Sequence, residues 1–159
     1  MSIQPGERVP EAVLQYIHDG VQKIDTATLF DGNKTVLFAV PGAFTPTCSE
    51  RHLPGFVEHH DEFKRRGINV ACMAVNDAFV MDAWGESQHV PEGLRMLSDG
   101  NGEFTQALGL QMDASAYGMG TRSKRFALYV EDGIVAKAFV EAPGEFRVSA
   151  AEHVLANLG

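Results

Sequence analysis

The chain has 159 residues, of which 45% are hydrophobic and 21% are charged, and its formal net charge is −8. These proportions are typical of a folded protein with a sizeable core, and we expect one domain over residues 1–159. The acidic balance argues against a nucleic acid or an anionic membrane as partner, because both are bound through clustered Lys and Arg. No apolar stretch approaches the ~20 residues of a membrane span, and no signal segment is recognisable, so we expect a cytoplasmic protein.

The first strong structural signal in chain order is a strand, loop and helix. The apolar run 35–40 predicts a buried strand, and the loop 41–46 follows it. One helix is then predicted over 47–66, with basic residues in its last turn and Gly67 after it. Pro54 lies inside this helix and predicts a kink, because proline has no N–H and clashes with the carbonyl four residues earlier.

Strands and helices continue to alternate along the rest of the chain. The predicted elements are a strand at 68–75, a helix at 78–86 capped by Asn76-Asp77, a strand at 95–98, a helical piece at 104–108, a hairpin of 125–131 and 134–140 around Asp132-Gly133, and a final helix at 149–158 capped by Ser149 with Glu152 at its third position. This order predicts an α/β fold, with a central mixed β-sheet flanked by helices in a thioredoxin-like arrangement.

Cys48 falls in the first turn of the predicted helix, directly after a buried strand. Free amides and the positive end of the helix dipole stabilise an anion at this position, which favours a reactive thiolate. Thr45 offers a hydroxyl near the sulfur, and Pro41 and Phe44 can form an apolar collar that limits water. The alternative is a buried, inert cysteine, which is the commoner state of a cysteine in an arbitrary α/β domain.

The pattern Pro41-x-x-x-Thr45-x-x-Cys48 resembles the active-site signature of peroxiredoxins. The longer string PGAFTPTCSERHLPGF resembles the peroxiredoxin 5, or type II, subfamily, and so do the segments 75–80 and 122–126. The similarity covers nearly the whole chain. It implies a thioredoxin-like fold and a thiol peroxidase that reduces hydrogen peroxide and organic hydroperoxides without a metal or other cofactor.

The resemblance also implies a role for each matching residue. Cys48 would be the peroxidatic cysteine that becomes a sulfenic acid. Thr45 would bond the thiolate and a peroxide oxygen, and Pro41 would shield the sulfenic acid. Arg125 would favour the thiolate and stabilise the charge that develops as the O–O bond breaks. Without the resemblance, a solvated strand end is the simpler interpretation of Arg125.

The return of the sulfenic acid to the thiol is less determined by the sequence. Some family members carry a resolving cysteine near the C-terminus, and the corresponding position here is Ser149. Cys72 is the only other cysteine, and its apolar neighbours favour a core residue over a resolving partner for Cys48. With an inert Cys72, an external thiol must react with Cys48, and glutathione with glutaredoxin is favoured over thioredoxin.

Three further features have a structural interpretation. His52, four residues after Cys48, is interpreted as an orienting or structural residue rather than a base. The acidic and histidine-containing segment 58–62 lacks HExxH spacing and is interpreted as a solvated helix face, so no metal site is predicted. An apolar patch that lines the substrate pocket or a homodimer interface is predicted from residues in loops and at a helix start, which are Phe44, Phe79, Tyr117 and Met119.

Two other functions would use the same cysteine. A thioredoxin-like disulfide reductase needs a C-x-x-C pair, but the positions at that spacing from Cys48 are Thr45 and Arg51. A redox sensor or a chaperone-like protein would react at Cys48 without turning over, and the sequence leaves that alternative open.

Overall fold

A computed structural model describes residues 2–158 of the chain. A seven-stranded sheet with the order β2-β1-β5-β4-β3-β8-β9 forms its centre, and β6 and β7 form a separate small sheet. The strands are β1 (Val13–Ile17), β2 (Val21–Asp25), β3 (Lys34–Ala39), β4 (Ile68–Ala74), β5 (Leu94–Ser98), β6 (Gln111–Asp113), β7 (Thr121–Ser123), β8 (Phe126–Glu131) and β9 (Ile134–Val140). The helices are α1 (Thr26–Phe30), α2 (Leu53–Glu58), α3 (His60–Arg65), α4 (Ala78–Ser87), α5 (Glu103–Leu108) and α6 (Ala151–Ala156).

The central strands are apolar because both faces of the sheet are covered. β3, β4 and β5 run parallel, and β8 and β9 continue the sheet antiparallel beyond β3. Successive β4 residues point to opposite faces, so Cys72 joins the core beneath α2, α3, α4 and α6, while Met73 joins the core beneath α1 and α5. This arrangement confirms the predicted α/β class with a mixed sheet flanked by helices.

The long helix predicted over 47–66 is divided into three pieces. Residues Cys48–His52 form a π-helical turn in which the Leu53 N–H donates to the Cys48 carbonyl, and α2 follows. Pro54 is the second residue of α2, a position in the first turn of a helix where proline is tolerated. His59, at φ −97° and ψ 9°, separates α2 from α3. The predicted segment is therefore helical, but it is interrupted in two places. The irregularity expected at Pro54 lies in the π-helical turn that ends two residues before it, and the break at His59 was not predicted.

The cap predicted for the last helix is wrong. α6 begins at Ala151 with Ala150 at its N-cap position, which makes no side-chain cap bond, and Glu152 is its second residue. The Ser149 hydroxyl instead donates to the carboxylate of Glu141 at 2.7 Å. A hydrogen bond from a hydroxyl to a carboxylate is stronger than one between a backbone N–H and a hydroxyl oxygen. The tertiary contact with Glu141 therefore overrides the local capping signal.

Some elements of the fold were not predicted from the sequence, and the interpretation of His60 needs correction. The hairpin β1–β2, the helix α1 and the pair β6–β7 were not predicted, although Asp19-Gly20 between β1 and β2 repeats the turn signal of Asp132-Gly133. His60 is buried rather than solvated, because its side chain packs beside Gly93. Within residues 2–158, no helix is long and apolar enough to cross a membrane.

Candidate active site

Cys48 is completely buried at the start of the π-helical turn. The loop 41–46 brings the chain to this point from the end of β3, and Asn76 at the end of β4 holds the loop by accepting a hydrogen bond from the Ala43 N–H at 2.9 Å. Trp84 of α4 donates its indole N–H to the Ser49 hydroxyl at 2.9 Å. Asn76 and Trp84 therefore restrain the chain on both sides of Cys48.

Thr45 lies in the tight turn of the loop. Its hydroxyl donates to the Gly42 carbonyl at 2.6 Å, and its carbonyl accepts from the Ser49 N–H at 2.9 Å. A Cβ atom at Gly42 would lie 3.0 Å from Met119 Cε, so any larger residue there would oblige the Met119 side chain to move. The hydroxyl oxygen of Thr45 keeps its lone pairs available as acceptors.

Arg125 reaches the sulfur of Cys48 from the neighbouring strand. β8 runs antiparallel to β3 with Phe126 opposite Ala39, so Arg125 lies beside the point where the chain leaves β3. Its Nη2 donates to Cys48 Sγ at 3.2 Å, and its Nη1 donates to His52 Nδ1 at 2.9 Å. The structure thus brings together two residues that are 77 positions apart in the sequence.

His52 is a neutral acceptor for Arg125 rather than a base for Cys48. Burial and, to a lesser extent, the positive charge of Arg125 together lower the pKa of His52 to about 3, while the bond to Ser149 opposes the change. His52 Nε2 lies 3.1 Å from the carbonyl of Ser149. Because a guanidinium only donates and a carbonyl only accepts, the proton must be on Nε2 and the lone pair of Nδ1 must face Arg125.

Glu141 and Phe146 belong to the site but were not identified from the sequence as functional residues. Glu141 is 6% exposed, and its Oε2 accepts from the N–H and hydroxyl of Ser149 and from the N–H of Arg147. The Phe146 ring lies 4.9 Å from the guanidinium of Arg51 and 5.8 Å from that of Arg125. No local motif marks either residue, since their roles depend on a loop that folds back onto the site.

A cavity of about 590 Å³ opens beside Arg125, the residue that bonds to the buried sulfur. Pro41 and Thr47 also line it, and Phe146 and Tyr117 contribute aromatic surface. The cavity gives a small molecule a path to the neighbourhood of Arg125. Its mixed polar and aromatic walls accommodate both a small polar molecule and one with an organic group.

Cys72 has the character of a core residue. It is completely buried in β4, opposite Phe38 of β3 and Met96 of β5. Burial raises the pKa of the Cys72 thiol well above its usual value, and the nearby Cys48 raises it further. Both cysteines are free thiols.

The aromatic residues predicted to form a patch are strongly exposed. Phe44 is 56% exposed and has a left-handed φ of 66°, and Phe79 is 67% exposed. The bond from Ala43 to Asn76 places the loop that carries Phe44 beside the start of α4, which carries Phe79. Tyr117 is 83% exposed, and Met119 is half-buried against Gly42.

Comparison with known proteins identifies the family. The family model described as Redoxin matches residues 4–155, and the chain belongs to this family. It is 46% identical over 160 residues to the chloroplastic peroxiredoxin-2E of Arabidopsis thaliana, covering 97% of this chain and 68% of the relative.

Solved structures agree with this assignment. The crystal structure of reduced Prx3 from Vibrio vulnificus in complex with H2O2 is 49% identical, with a TM-score of 0.93 over 97% of this chain and 98% of the other. The 1-Cys peroxiredoxin described as an antioxidant protein of Plasmodium falciparum is 30% identical, with a TM-score of 0.90 over 96% of each chain. The thioredoxin-like fold and the peroxiredoxin resemblance are therefore confirmed, and the chain is a thiol-dependent peroxidase.

Proposed function

We propose that Cys48 is the peroxidatic cysteine and that Arg125 is its charged partner. The observation that carries this proposal is the bond of 3.2 Å from Arg125 Nη2 to the buried sulfur. A fixed guanidinium charge stabilises the thiolate, and it also stabilises the negative charge on the departing peroxide oxygen.

The chemistry needs one peroxide and one thiolate. The Cys48 sulfur attacks the nearer peroxide oxygen, the O–O bond breaks, and the second oxygen takes a proton and leaves as water or as an alcohol. Cys48 is oxidised to the sulfenic acid, and the peroxide is reduced. Thr45 supports this step as an acceptor. Its hydroxyl hydrogen is used in the bond to the Gly42 carbonyl, so the lone pairs of the hydroxyl oxygen are available to a peroxide O–H. Pro41 lines the cavity and shields the sulfenic acid on that side.

The experiment is a single-turnover reaction with hydrogen peroxide, followed by the fluorescence of Trp84, which is the only tryptophan of the chain. Cys48→Ser should abolish both the fluorescence change and the formation of a sulfenic acid detected by mass spectrometry. Cys72→Ser is the matched control and should react like the wild type. Peroxide consumption by Cys48→Ser would overturn the assignment.

We infer that the sulfenic acid is reduced by an external thiol. Cys72 is buried within the sheet with a raised thiol pKa, and the residue at the end of the loop 142–148 is Ser149 rather than a cysteine. Glutathione with glutaredoxin is the preferred donor, with thioredoxin second. Steady-state turnover with each donor alone tests this order, and faster turnover with thioredoxin would reverse it.

A homodimer is the assembly that the exposed aromatic residues support. Phe44 and Phe79 lie on adjacent segments and place apolar surface in water beside the active-site loop. We propose that a second copy of this single-domain chain covers them.

We also propose a cytoplasmic location, which the two free thiols favour because disulfides are rare in that reducing compartment. Cell fractionation with an antibody to the native chain tests the location.

A further inference from the structure

We propose that Glu141 is a positioning residue for the peroxidase reaction, which holds Arg125 against Cys48 through Ser149 and His52. The proposal rests on the roles of Cys48 and Arg125 proposed above. The relay consists of direct hydrogen bonds, and it begins at a buried carboxylate that accepts hydrogen bonds from Ser149 and Arg147.

The first link fixes Ser149. Both the N–H and the hydroxyl of Ser149 donate to Glu141 Oε2 at 2.7 Å, and Ser149 is completely buried. Charge-assisted bonds to a carboxylate are about twice as strong as neutral ones. Two such bonds to one residue fix the orientation of its backbone, including the direction of its carbonyl.

The second link passes this orientation to His52. The Ser149 carbonyl accepts from His52 Nε2 at 3.1 Å, which fixes both the tautomer and the rotation of the ring. The lone pair of Nδ1 is thereby directed at Arg125 Nη1, 2.9 Å away. A ring in the other tautomer would present an N–H to the guanidinium, and this bond would be lost.

The third link is the guanidinium itself. Arg125 donates from Nη1 to His52 and from Nη2 to Cys48. Because the guanidinium is planar and rigid, the bond to the imidazole at one end directs the other end at the sulfur. Glu141 also closes the loop that carries Phe146, because its Oε2 accepts from the Arg147 N–H at 2.8 Å. Phe146 then lies against the same guanidinium. The carboxylate therefore restrains Arg125 by two routes.

The test compares Glu141→Ala with Glu141→Gln and uses Glu92→Ala as a control. Glu92 is an exposed carboxylate in the segment before β5 and does not line the cavity beside Arg125. Glu141→Ala should lower the second-order rate constant of Cys48 with hydrogen peroxide by about tenfold or more, since small misplacements of a reacting group have large effects on rate. Glu141→Gln keeps an acceptor oxygen and should recover the rate to within about threefold of the wild type. Glu92→Ala should react like the wild type.

A second readout separates positioning from a general loss of structure. The ¹⁵N resonances of the His52 ring should report the single Nε2–H tautomer in the wild type and in Glu141→Gln, and a mixture of tautomers in Glu141→Ala. If Glu141→Ala fails to fold, Ser149→Ala removes one donor and should give a loss of about threefold with the same direction of change at His52. Wild-type rates and spectra in Glu141→Ala, or in Ser149→Ala where Glu141→Ala fails to fold, would overturn the relay. A wild-type protein that does not react through Cys48 would instead overturn the proposed function.

Discussion

Arg125 makes two hydrogen bonds at once, to His52 Nδ1 and to Cys48 Sγ, from the two ends of a rigid planar fork that the ammonium group of a lysine lacks. Arg125→Lys keeps the positive charge but loses the fork, so we expect the rate of Cys48 oxidation to fall by about 10²-fold. Stopped-flow fluorescence of Trp84 measures it. Arg95→Lys is the matched control, because Arg95 also lies against an aromatic ring, that of Tyr16. An unchanged rate in Arg125→Lys would mean that the positive charge alone accounts for the effect of Arg125 on the oxidation of Cys48.

His52 links the site to the stability of the fold. Its pKa is lowered to about 3, whereas in the unfolded chain it is about 6.5, so between these values the unfolded chain binds a proton that the folded chain does not. The free energy of unfolding therefore falls as the pH is lowered through this window. The contribution of His52 is fully present above pH 6.5 and is lost progressively toward pH 3.

The prediction is that His52→Gln has a shallower dependence of stability on pH than the wild type. Glutamine donates to Ser149 and accepts from Arg125 but does not titrate. The difference in slope between the two proteins should reach at most about 1.4 kcal/mol per pH unit between pH 4 and 6. Denaturant unfolding at a series of pH values measures it, and parallel curves would show that His52 is protonated in the folded protein.

At the scale of elements, β4 explains why Cys72 is a poor partner for Cys48. The strand is bonded to β3 on one side and β5 on the other, so moving Cys72 toward the π-helical turn would break the centre of the sheet. We expect Cys72→Ser to keep its peroxidase turnover with glutathione and glutaredoxin. The buried hydroxyl should lower the free energy of unfolding by about 1–3 kcal/mol.

Turnover and thermal denaturation of Cys72→Ser and Cys72→Ala distinguish the two roles of this thiol. Alanine introduces no polar group, so the change in the free energy of unfolding of Cys72→Ala reports the lost volume alone, without the cost of burying a hydroxyl. Loss of most turnover in both variants would identify Cys72 as a resolving cysteine. Loss of stability with retained turnover supports a core residue.

At the scale of the whole molecule, the exposed aromatic residues predict the oligomeric state. Phe79→Glu places a charge in the proposed dimer interface and should shift the protein toward the monomer at micromolar concentration, because burying an unpaired charge is costly. Light scattering measures this shift. Val21→Glu is the control, since Val21 is 45% exposed on β2, the strand at the edge of the central sheet. A wild-type protein that is monomeric under the same conditions would contradict the dimer.

The sequence predicted the elements whose local signals agree with their tertiary environment. β3, β4, α4, β5 and the β8–β9 hairpin were all predicted to within one or two residues, because apolar runs and the Asp132-Gly133 turn mark them. The β1–β2 hairpin has the same turn chemistry, with Asp19 and Gly20 both at positive φ, but its strands are half-exposed and lack an apolar run. Its apolar contacts depend on the rest of the sheet, which no local pattern contains.

By itself, the sequence determined that Cys48 follows a buried strand at the start of a helical segment, and its pattern around Pro41 and Thr45 identified the family. Only the tertiary structure decided what surrounds the sulfur. Arg125 bonds to Cys48, and His52, Ser149 and Glu141 are linked to Arg125 in turn by hydrogen bonds. These residues come together because antiparallel β8 lies beside β3 and the loop 142–148 brings Ser149 to His52. Helix and strand signals are local, whereas the hydrogen bonds at this site join residues up to 97 positions apart.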